Sequence, residues 1–164
     1  MTVASRPLRA LPVFLLVLVA LAFCAGRGRR AQADEPALGF RFDNVASRAG
    51  LAATTVFGGR EHNKYLLETT GCGAAFLDYD GDGRLDVFVV NGTTLEGFPK
   101  GAEPTNHLYR NKGEGAFEDV TARAGLVQTG WGQGTCVGDY DNDGHPDLFV
   151  SYWGQNRLYH NRGD

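Results

Sequence analysis

Beyond residue 40, short apolar runs alternate with glycine and aspartate, and no stretch keeps a helical period over three turns. Runs of this kind, rich in β-branched and aromatic residues and bounded by turn formers, are typical of strands. The predicted strands are 74–78, 85–90, 107–110, 116–121, 135–139 and 148–152. The pattern therefore predicts an all-β fold.

Three segments of the chain recur, each with its own offset. The pairs are 71–90 with 132–151, 106–113 with 156–163, and 42–51 with 117–126. Unequal offsets indicate one unit with insertions in its connections, at 52–70 and at 93–105. Four short strands per unit, repeating at tens of residues, are typical of propeller blades. A β-sandwich with similar hairpins is the alternative.

The first 33 residues predict an export signal. Residues 11–23 are apolar and follow Arg6 and Arg9, and 31–33 read Ala-Gln-Ala before Asp34. A basic start, a short apolar core and a small-residue site are typical of a signal peptide. An uncleaved N-terminal anchor and lipidation at Cys24 remain alternatives. We expect an exported protein, extracellular or in the periplasm and cell envelope, that meets a membrane only through this segment.

Charge is unevenly distributed along the chain. The formal net charge is -3, and without residues 1–33 the chain keeps 11 basic against 19 acidic side chains. Eight of those acids lie in two short loops, which start at Asp78 and Asp139. An acidic chain with clustered carboxylates argues against nucleic acid as a partner and for bound cations.

Both acidic loops have the spacing of a calcium loop. Each has aspartates at positions 1, 3, 5 and 9 and a glycine at position 6. Such carboxylates repel one another unless a cation lies between them, and calcium accepts six to eight oxygen ligands. The predicted ligands are Asp78, Asp80, Asp82, Arg84 and Asp86, then Asp139, Asp141, Asp143, His145 and Asp147, with Arg84 and His145 acting through backbone carbonyls. An Asx-rich turn without an ion is the alternative.

The two loops also differ from known calcium loops and from each other. Val89 and Val150 occupy position 12, where an EF-hand needs a bidentate glutamate. Pro146 replaces Leu85 in the second loop and removes a backbone N–H. We expect two structural calcium sites, the second binding no more tightly than the first.

The ordered motifs G-x-G-x-x-x-x-D-Y-D-x-D-G-x-x-D-x-F-V, N-x-L-Y-x-N-x-G and F-x-D-V-T-x-x-A-G-L resemble the FG-GAP/VCBS repeat family. The resemblance is to its cartilage-acidic-protein-like branch, whose members often end in an ASPIC/UnbV domain. It implies a propeller like integrin α-subunit heads, with calcium between the first two strands of a blade.

The resemblance also implies a division of the chain. It implies a closing strand at 40–51, an insert at 52–70, a blade at 71–121 and a partial blade at 132–164. That is an incomplete ring of about one and a half blades plus a closing strand, and fewer than about three stacked repeats rarely bury a core. We therefore expect the N-terminal part of a larger protein.

No catalytic constellation is visible, because the four histidines are scattered and His107 and His160 are expected at the surface or in packing. We expect a module that recognises an extracellular protein or a glycan. The alternative is a secreted lyase or hydrolase whose catalytic residues lie in missing blades or in the inserts. The candidates in the first insert are Glu61, His62, Lys64, Tyr65 and Glu68.

The cysteines beyond the predicted signal are Cys72 and Cys136. Their positions are not equivalent in the two repeats. We expect two small buried residues, with a disulfide in an oxidising compartment as the alternative.

Overall fold

A computed structural model describes residues 39–59 and 61–163 of the chain. The predicted signal peptide or anchor at 1–33 lies outside these residues. The chain divides into the units Met1–Asp43 and Asn44–Asp164, and the strands all belong to the second. None of the helices described has both the length and the apolar character that crossing a bilayer requires.

Two antiparallel sheets make up the described fold. The first is β1 (Ala74–Leu77), β2 (Asp86–Val89), β3 (His107–Gly113) and β4 (Ala116–Asp119), and the second is β5 (Gly132–Gly138), β6 (Asp147–Tyr152) and β7 (Arg157–Tyr159). In each sheet the strands lie in chain order. The all-β class and the six predicted strands are confirmed. The described strands form two blade-like meanders and no closed ring.

The core lies between the two sheets because each strand alternates its side chains. Phe88 on β2 is opposite Leu108 on β3, so both side chains lie on the same face, and both are fully buried. The second sheet contributes Leu148 and Val150 to the same cluster. The complete buried cluster is Leu77, Phe88, Val90, Leu108, Val120, Leu148 and Val150.

Glycine permits the closest approach between the sheets. A Cβ added to Gly73, just before β1, would lie 2.9 Å from Gly134 Cα and 3.1 Å from Thr135 N on β5. Backbone atoms cannot yield as a flexible side chain can, so a side chain at Gly73 would push the sheets apart. The alternating glycines at the two strand starts therefore serve packing between the sheets.

The predicted closing strand at 40–51 is wrong. Helix α1 (Ala46–Ala49) occupies part of it, and none of the other described residues in the segment is in a strand. Ala49 N donates to Val45 O (2.9 Å) and Leu51 N to Ala46 O (2.9 Å), around Gly50 with a left-handed φ of 86°.

The later copy of the same motif has the same turn. Ala124 N donates to Val120 O (2.9 Å) and Leu126 N to Thr121 O (3.0 Å), while β4 has already ended at Asp119. The motif therefore encodes a strand only in its first residues, and only where a neighbouring strand offers backbone partners. Its second half is a helical turn in both copies.

The cysteines are partly as expected. Cys72 is half-buried and its Sγ lies 3.8 Å from Val56 O, whereas Cys136 on β5 is exposed. The prediction of a buried residue is therefore wrong for Cys136. Both thiols are free.

Substituting Gly73 tests the packing of the sheets. We expect Gly73→Ala to lower the free energy of unfolding by about 1–3 kcal/mol, because its Cβ meets backbone atoms. Gly138→Ala on β5 is the matched control, because a Cβ there has nothing within 4 Å. Denaturant unfolding of both variants checks the prediction, and equal midpoints would contradict the close approach.

Candidate metal centre

The first acidic loop is folded by its own carboxylates. Asp78 accepts hydrogen bonds from the backbone N–H groups of Asp82 (3.0 Å) and Gly83 (2.9 Å), and Asp82 Oδ1 accepts from Arg84 N (2.9 Å). Gly83 supplies the left-handed φ of 82° that closes this turn. The aspartate spacing thus has a structural role before any ligand is considered.

The second loop repeats this network. Asp139 accepts from the N–H groups of Asp143 (3.1 Å) and Gly144 (2.9 Å), and Asp143 accepts from His145 N (2.9 Å). Asn142, at φ 61°, takes the place of Gly81, at φ 70°. Asparagine tolerates the left-handed region better than most side chains, so the turn is kept. Two loops of different sequence therefore have the same conformation.

The aspartate at position 9 of each loop is buried and joins the loop to the third strand of its sheet or to the residues just after it. Asp86 accepts from Tyr79 N (3.0 Å) and from Asn111 N on β3 (2.7 Å), with no exposed surface. Asp147 does the same with Tyr140 N (3.0 Å) and Asn161 N (2.8 Å). Buried carboxylates with both oxygens hydrogen-bonded hold a loop firmly in place.

Carboxylate oxygens converge in both loops. One oxygen each of Asp78, Asp80 and Asp86 lie within 4.8 Å of one another, and the same holds for Asp139, Asp141 and Asp143. Oxygens bound to one calcium ion at about 2.3–2.6 Å can be no more than about 5 Å apart. The donor sets therefore fit a hard cation in spacing and in chemistry.

An arginine from β3 reaches the first loop. Arg110 Nε lies 2.6 Å from Asp80 Oδ2, although its N–H is not directed at that oxygen, and Arg110 Nη2 donates to Asp82 Oδ2 (3.2 Å). The Arg84 guanidinium pairs with the same Asp82 carboxylate. Two permanent positive charges thus offset part of the loop's negative charge.

His160 stands where the first loop has Arg110. Its Nδ1 lies 3.4 Å from Asp141 Oδ2 and 3.3 Å from Asp147 Oδ1, and its Nε2 lies 3.9 Å from Asp143 Oδ2. An imidazole can be neutral, whereas a guanidinium is always charged. The first loop therefore has two permanent positive charges beside its carboxylates, where the second has the imidazole of His160.

The pKa shifts of the two buried aspartates have opposite directions. Burial raises the pKa of Asp86, and the negative charges of Asp80 and Asp82 raise it further. The hydrogen bonds from Asn111 N and Tyr79 N lower this pKa, but by less. The hydrogen bond from Asn161 N lowers the pKa of Asp147, more than burial raises it.

Of the predicted ligands, six aspartates lie in the two convergent sets. Asp82 is bound instead to the two arginines, and Asp147 joins Asp141 and His160 in a further convergent group. Arg84 and His145 lie in the two loops, and the roles of their backbone carbonyls stay a prediction. His160 is exposed, as expected, but the sequence missed that Arg110 and His160 contact the loop carboxylates. Their shared place in the N-x-L-Y-x-N repeat, one residue before the asparagine, was the available signal.

The polar residues of the first insert come together only in part. Glu61, His62, Lys64 and Glu68 line one cavity of about 350 Å³, while Tyr65 is 61% exposed and does not line it. Glu68, almost buried, accepts from the N–H groups of Gly59 (3.2 Å), Lys64 (2.8 Å) and Tyr65 (2.9 Å). Its carboxylate therefore folds the insert.

The Lys64 N–H bond, followed by those of Tyr65 and Gly59, holds the pKa of Glu68 below its usual value against the effect of burial. A carboxylate with a depressed pKa is a poor general base near neutral pH. Glu68 is thus poorly suited to act as the general base of this cavity.

Protonating Glu68 should loosen the insert. The pKa of Glu68 is lower in the folded chain than in the unfolded chain. The ionised carboxylate therefore stabilises the insert fully above the unfolded pKa, and this stabilisation is lost as the pH falls through the folded pKa. We expect Glu68→Gln to raise hydrogen exchange at the Lys64 and Tyr65 amides at neutral pH, with a smaller difference from the unsubstituted chain near pH 3. Exposed Glu96→Gln is the control, and equal exchange in both variants would contradict the role.

Two comparisons with known proteins agree with this architecture. A family model described as FG-GAP-like repeat matches residues 78–150, which include both acidic loops. Cartilage acidic protein 1 of Xenopus tropicalis is 30% identical over 73 residues, which are 43% of this chain and 11% of that protein. The chain thus spans about a tenth of that relative's length. The match to the family model identifies residues 78–150 as an FG-GAP-like repeat region.

Proposed function

We propose that this chain is a calcium-binding, propeller-type module in which the ion is structural. The observation that carries the proposal is that both loops bring three carboxylate oxygens within 4.8 Å of one another. The backbone hydrogen bonds repeat in the two loops, while the convergent carboxylates are at positions 1, 3 and 9 in the first loop and at positions 1, 3 and 5 in the second. Calcium fits better than magnesium, which requires a tighter octahedron and keeps its waters.

The candidate ligands of the first site are Asp78, Asp80 and Asp86, with Asp82 and the Arg84 carbonyl beside them. Those of the second site are Asp139, Asp141 and Asp143, with Asp147 and the His145 carbonyl beside them. A bound ion would supply positive charge between the carboxylates. The chain's own backbone bonds would keep each loop in shape around it.

The contacts favour tighter binding at the second loop, which reverses the order expected from the sequence. Arg110 and Arg84 neutralise part of the first loop, and a cation there must compete with both. In the second loop the corresponding neighbour is His160. We infer that calcium first fills the loop that starts at Asp139.

The wider role proposed is recognition of an extracellular protein or a glycan by an exported protein. The basic and apolar features of residues 1–33 support export, and the acidic remainder of the chain argues against nucleic acid. The relative, cartilage acidic protein 1, is named for an extracellular tissue, which supports the same setting. A membrane would be met only through the N-terminal segment.

A secreted lyase or hydrolase remains the second candidate, and the cavity beside Glu61 and His62 is what favours it. Glu68, the most buried acid of that cavity, is committed to backbone hydrogen bonds. A turnover assay on the complete protein with polysaccharide and peptide substrates separates the two functions.

Calcium should stabilise the chain. At 1 mM calcium, one site with a Kd of about 10⁻⁴ M adds about 1.4 kcal/mol to the free energy of unfolding. We expect Asp141→Asn to remove most of this gain, and Glu118→Gln on β4 to keep it. Thermal unfolding with calcium and with EDTA measures the difference, and a chain indifferent to calcium would contradict the proposal.

Exchanging the two basic residues tests the order of the sites. We expect Arg110→His to tighten calcium binding at the first loop, because a permanent charge leaves it, and His160→Arg to weaken binding at the second. Changes of about tenfold correspond to about 1.4 kcal/mol each. Isothermal titration calorimetry of both variants gives the affinities, and unchanged values in both would refute competition between these cations and calcium.

A further inference from the structure

An asparagine side chain joins the start of the first insert to the end of β2. Asn91 lies just beyond β2 and is 3% exposed. Its Oδ1 accepts a hydrogen bond from Val56 N (2.7 Å), and its Nδ2 donates to Thr54 O (3.1 Å). A primary amide both donates and accepts, so this side chain bonds the insert backbone as a neighbouring strand would. We call residues 53–58, which it holds, the docked segment.

The backbone of Asn91 is held by other parts of the chain. Asn91 N donates to Asn106 Oδ1 (2.9 Å), and Asn91 O accepts from Gly132 N (3.2 Å) at the start of β5. Neither bond involves the docked segment. The segment can therefore leave the sheet without moving the end of β2, and its departure frees the Asn91 side chain.

Packing of the docked segment requires glycine after Asn91. Gly92 N donates to Val56 O (3.1 Å), and a Cβ on Gly92 would lie 2.6 Å from Val56 O and 2.7 Å from the Phe57 ring. Glycine also leaves its own nitrogen unhindered by a side chain. Asn91 is the one asparagine in the sequence that a glycine follows. The same packing thus places the least hindered backbone nitrogen next to a side-chain amide.

We propose that Asn91 is a site of spontaneous deamidation and that the docked segment controls its rate. In this reaction Gly92 N attacks Asn91 Cγ. The new N–C bond closes a cyclic succinimide, the Cγ–Nδ2 bond breaks, and ammonia leaves with the proton of Gly92 N. Water then opens the ring at either carbonyl and gives aspartate or isoaspartate. The reaction consumes water, releases ammonia and changes no oxidation state.

The docked geometry slows this attack. Gly92 N donates to Asn91 Oδ1 at 3.0 Å. A donor to a carbonyl oxygen prefers the plane of the amide, whereas a nucleophile must approach Cγ from above that plane. Turning the Asn91 amide would break its bonds to Val56 N and Thr54 O. The reaction therefore requires local opening of the docked segment, and its rate follows the fraction of open molecules.

The product keeps the segment open. A carboxylate has no N–H to donate to Thr54 O, and it would place a negative charge where the side chain is 3% exposed. Isoaspartate also lengthens the main chain by one carbon. Opening followed by deamidation is therefore a one-way release of the docked segment. Gly59, the next residue, lines the cavity beside Glu68 and Glu96, so the release also alters that cavity. The inference does not depend on calcium.

Peptide mapping by mass spectrometry of the full chain, aged in mildly alkaline buffer, tests the control of the rate. Phe57→Ala removes the ring that packs on Trp131 (centroids 5.7 Å apart), and Phe42→Ala makes the same change at a residue that is 90% exposed. We expect Asn91 to deamidate more than about tenfold faster in Phe57→Ala than in Phe42→Ala. Circular dichroism confirms that both variants keep their strands. Equal rates in the two folded variants overturn the proposal.

The same measurement in denaturant gives the rate without any docked segment and needs no substitution. We expect Asn91 of the folded, unsubstituted chain to deamidate more than about tenfold more slowly than Asn91 of the unfolded chain. A folded chain that reacts as fast as the unfolded one would show that the hydrogen bonds of Asn91 give no protection, which also overturns the proposal.

A second pair of variants tests the one-way release. Asn91→Asp reproduces one product of the reaction. Asn44→Asp is the matched control, because Asn44 Oδ1 accepts from Ala46 N (3.1 Å) and a carboxylate can do the same. We expect hydrogen exchange at the Val56 and Gly58 amides to be more than about tenfold faster in Asn91→Asp and unchanged in Asn44→Asp. Equal exchange in the two variants, or loss of the strands in Asn91→Asp, contradicts a release confined to the docked segment.

Discussion

The buried carboxylate at the end of each acidic loop is the interaction on which both blades depend. Asp86 joins the start of its loop, through Tyr79 N, to the third strand, through Asn111 N, while itself lying in β2. Three segments distant in sequence meet at one side chain. A buried charge is costly unless hydrogen bonds compensate it, so the position tolerates little variation in its partners. Asp147 and its partners repeat the arrangement in the second sheet.

The buried aspartate at position 9 and its two backbone hydrogen bonds orient the rest of each loop. With position 9 fixed, the carboxylates at the first positions accept backbone N–H groups of their own turn and still converge. The strands that emerge from the loop then place alternate apolar residues on the buried face between the sheets. Loop chemistry and core packing are thus two consequences of one local structure, which explains why they recur together along the chain.

The two loops have the same shape but not the same electrostatics. Arg110 brings a permanent charge to the first, and His160 stands at the equivalent place in the second. The buried aspartates differ as well, since burial raises the pKa of Asp86 whereas the hydrogen bond from Asn161 N lowers that of Asp147. Repeated backbone geometry therefore leaves room for each blade to differ in the charges around its carboxylates.

The sequence by itself determined the strands, the repeat and the aspartate clusters, because these depend on spacing within a few residues. It did not determine which side chains would reach the loops from elsewhere. Arg110 reaches Asp82 only because β3 is aligned with β2 by the packing of Phe88 on the core face, and no local pattern encodes that register. The segment 42–51 shows the same dependence from the other side. Its sequence resembles that of 117–126, which begins in a strand, yet 42–51 forms no strand because no neighbouring strand of the described chain is there to accept its backbone hydrogen bonds. Tertiary structure decided these features, because each depends on atoms that the chain brings together from distant positions.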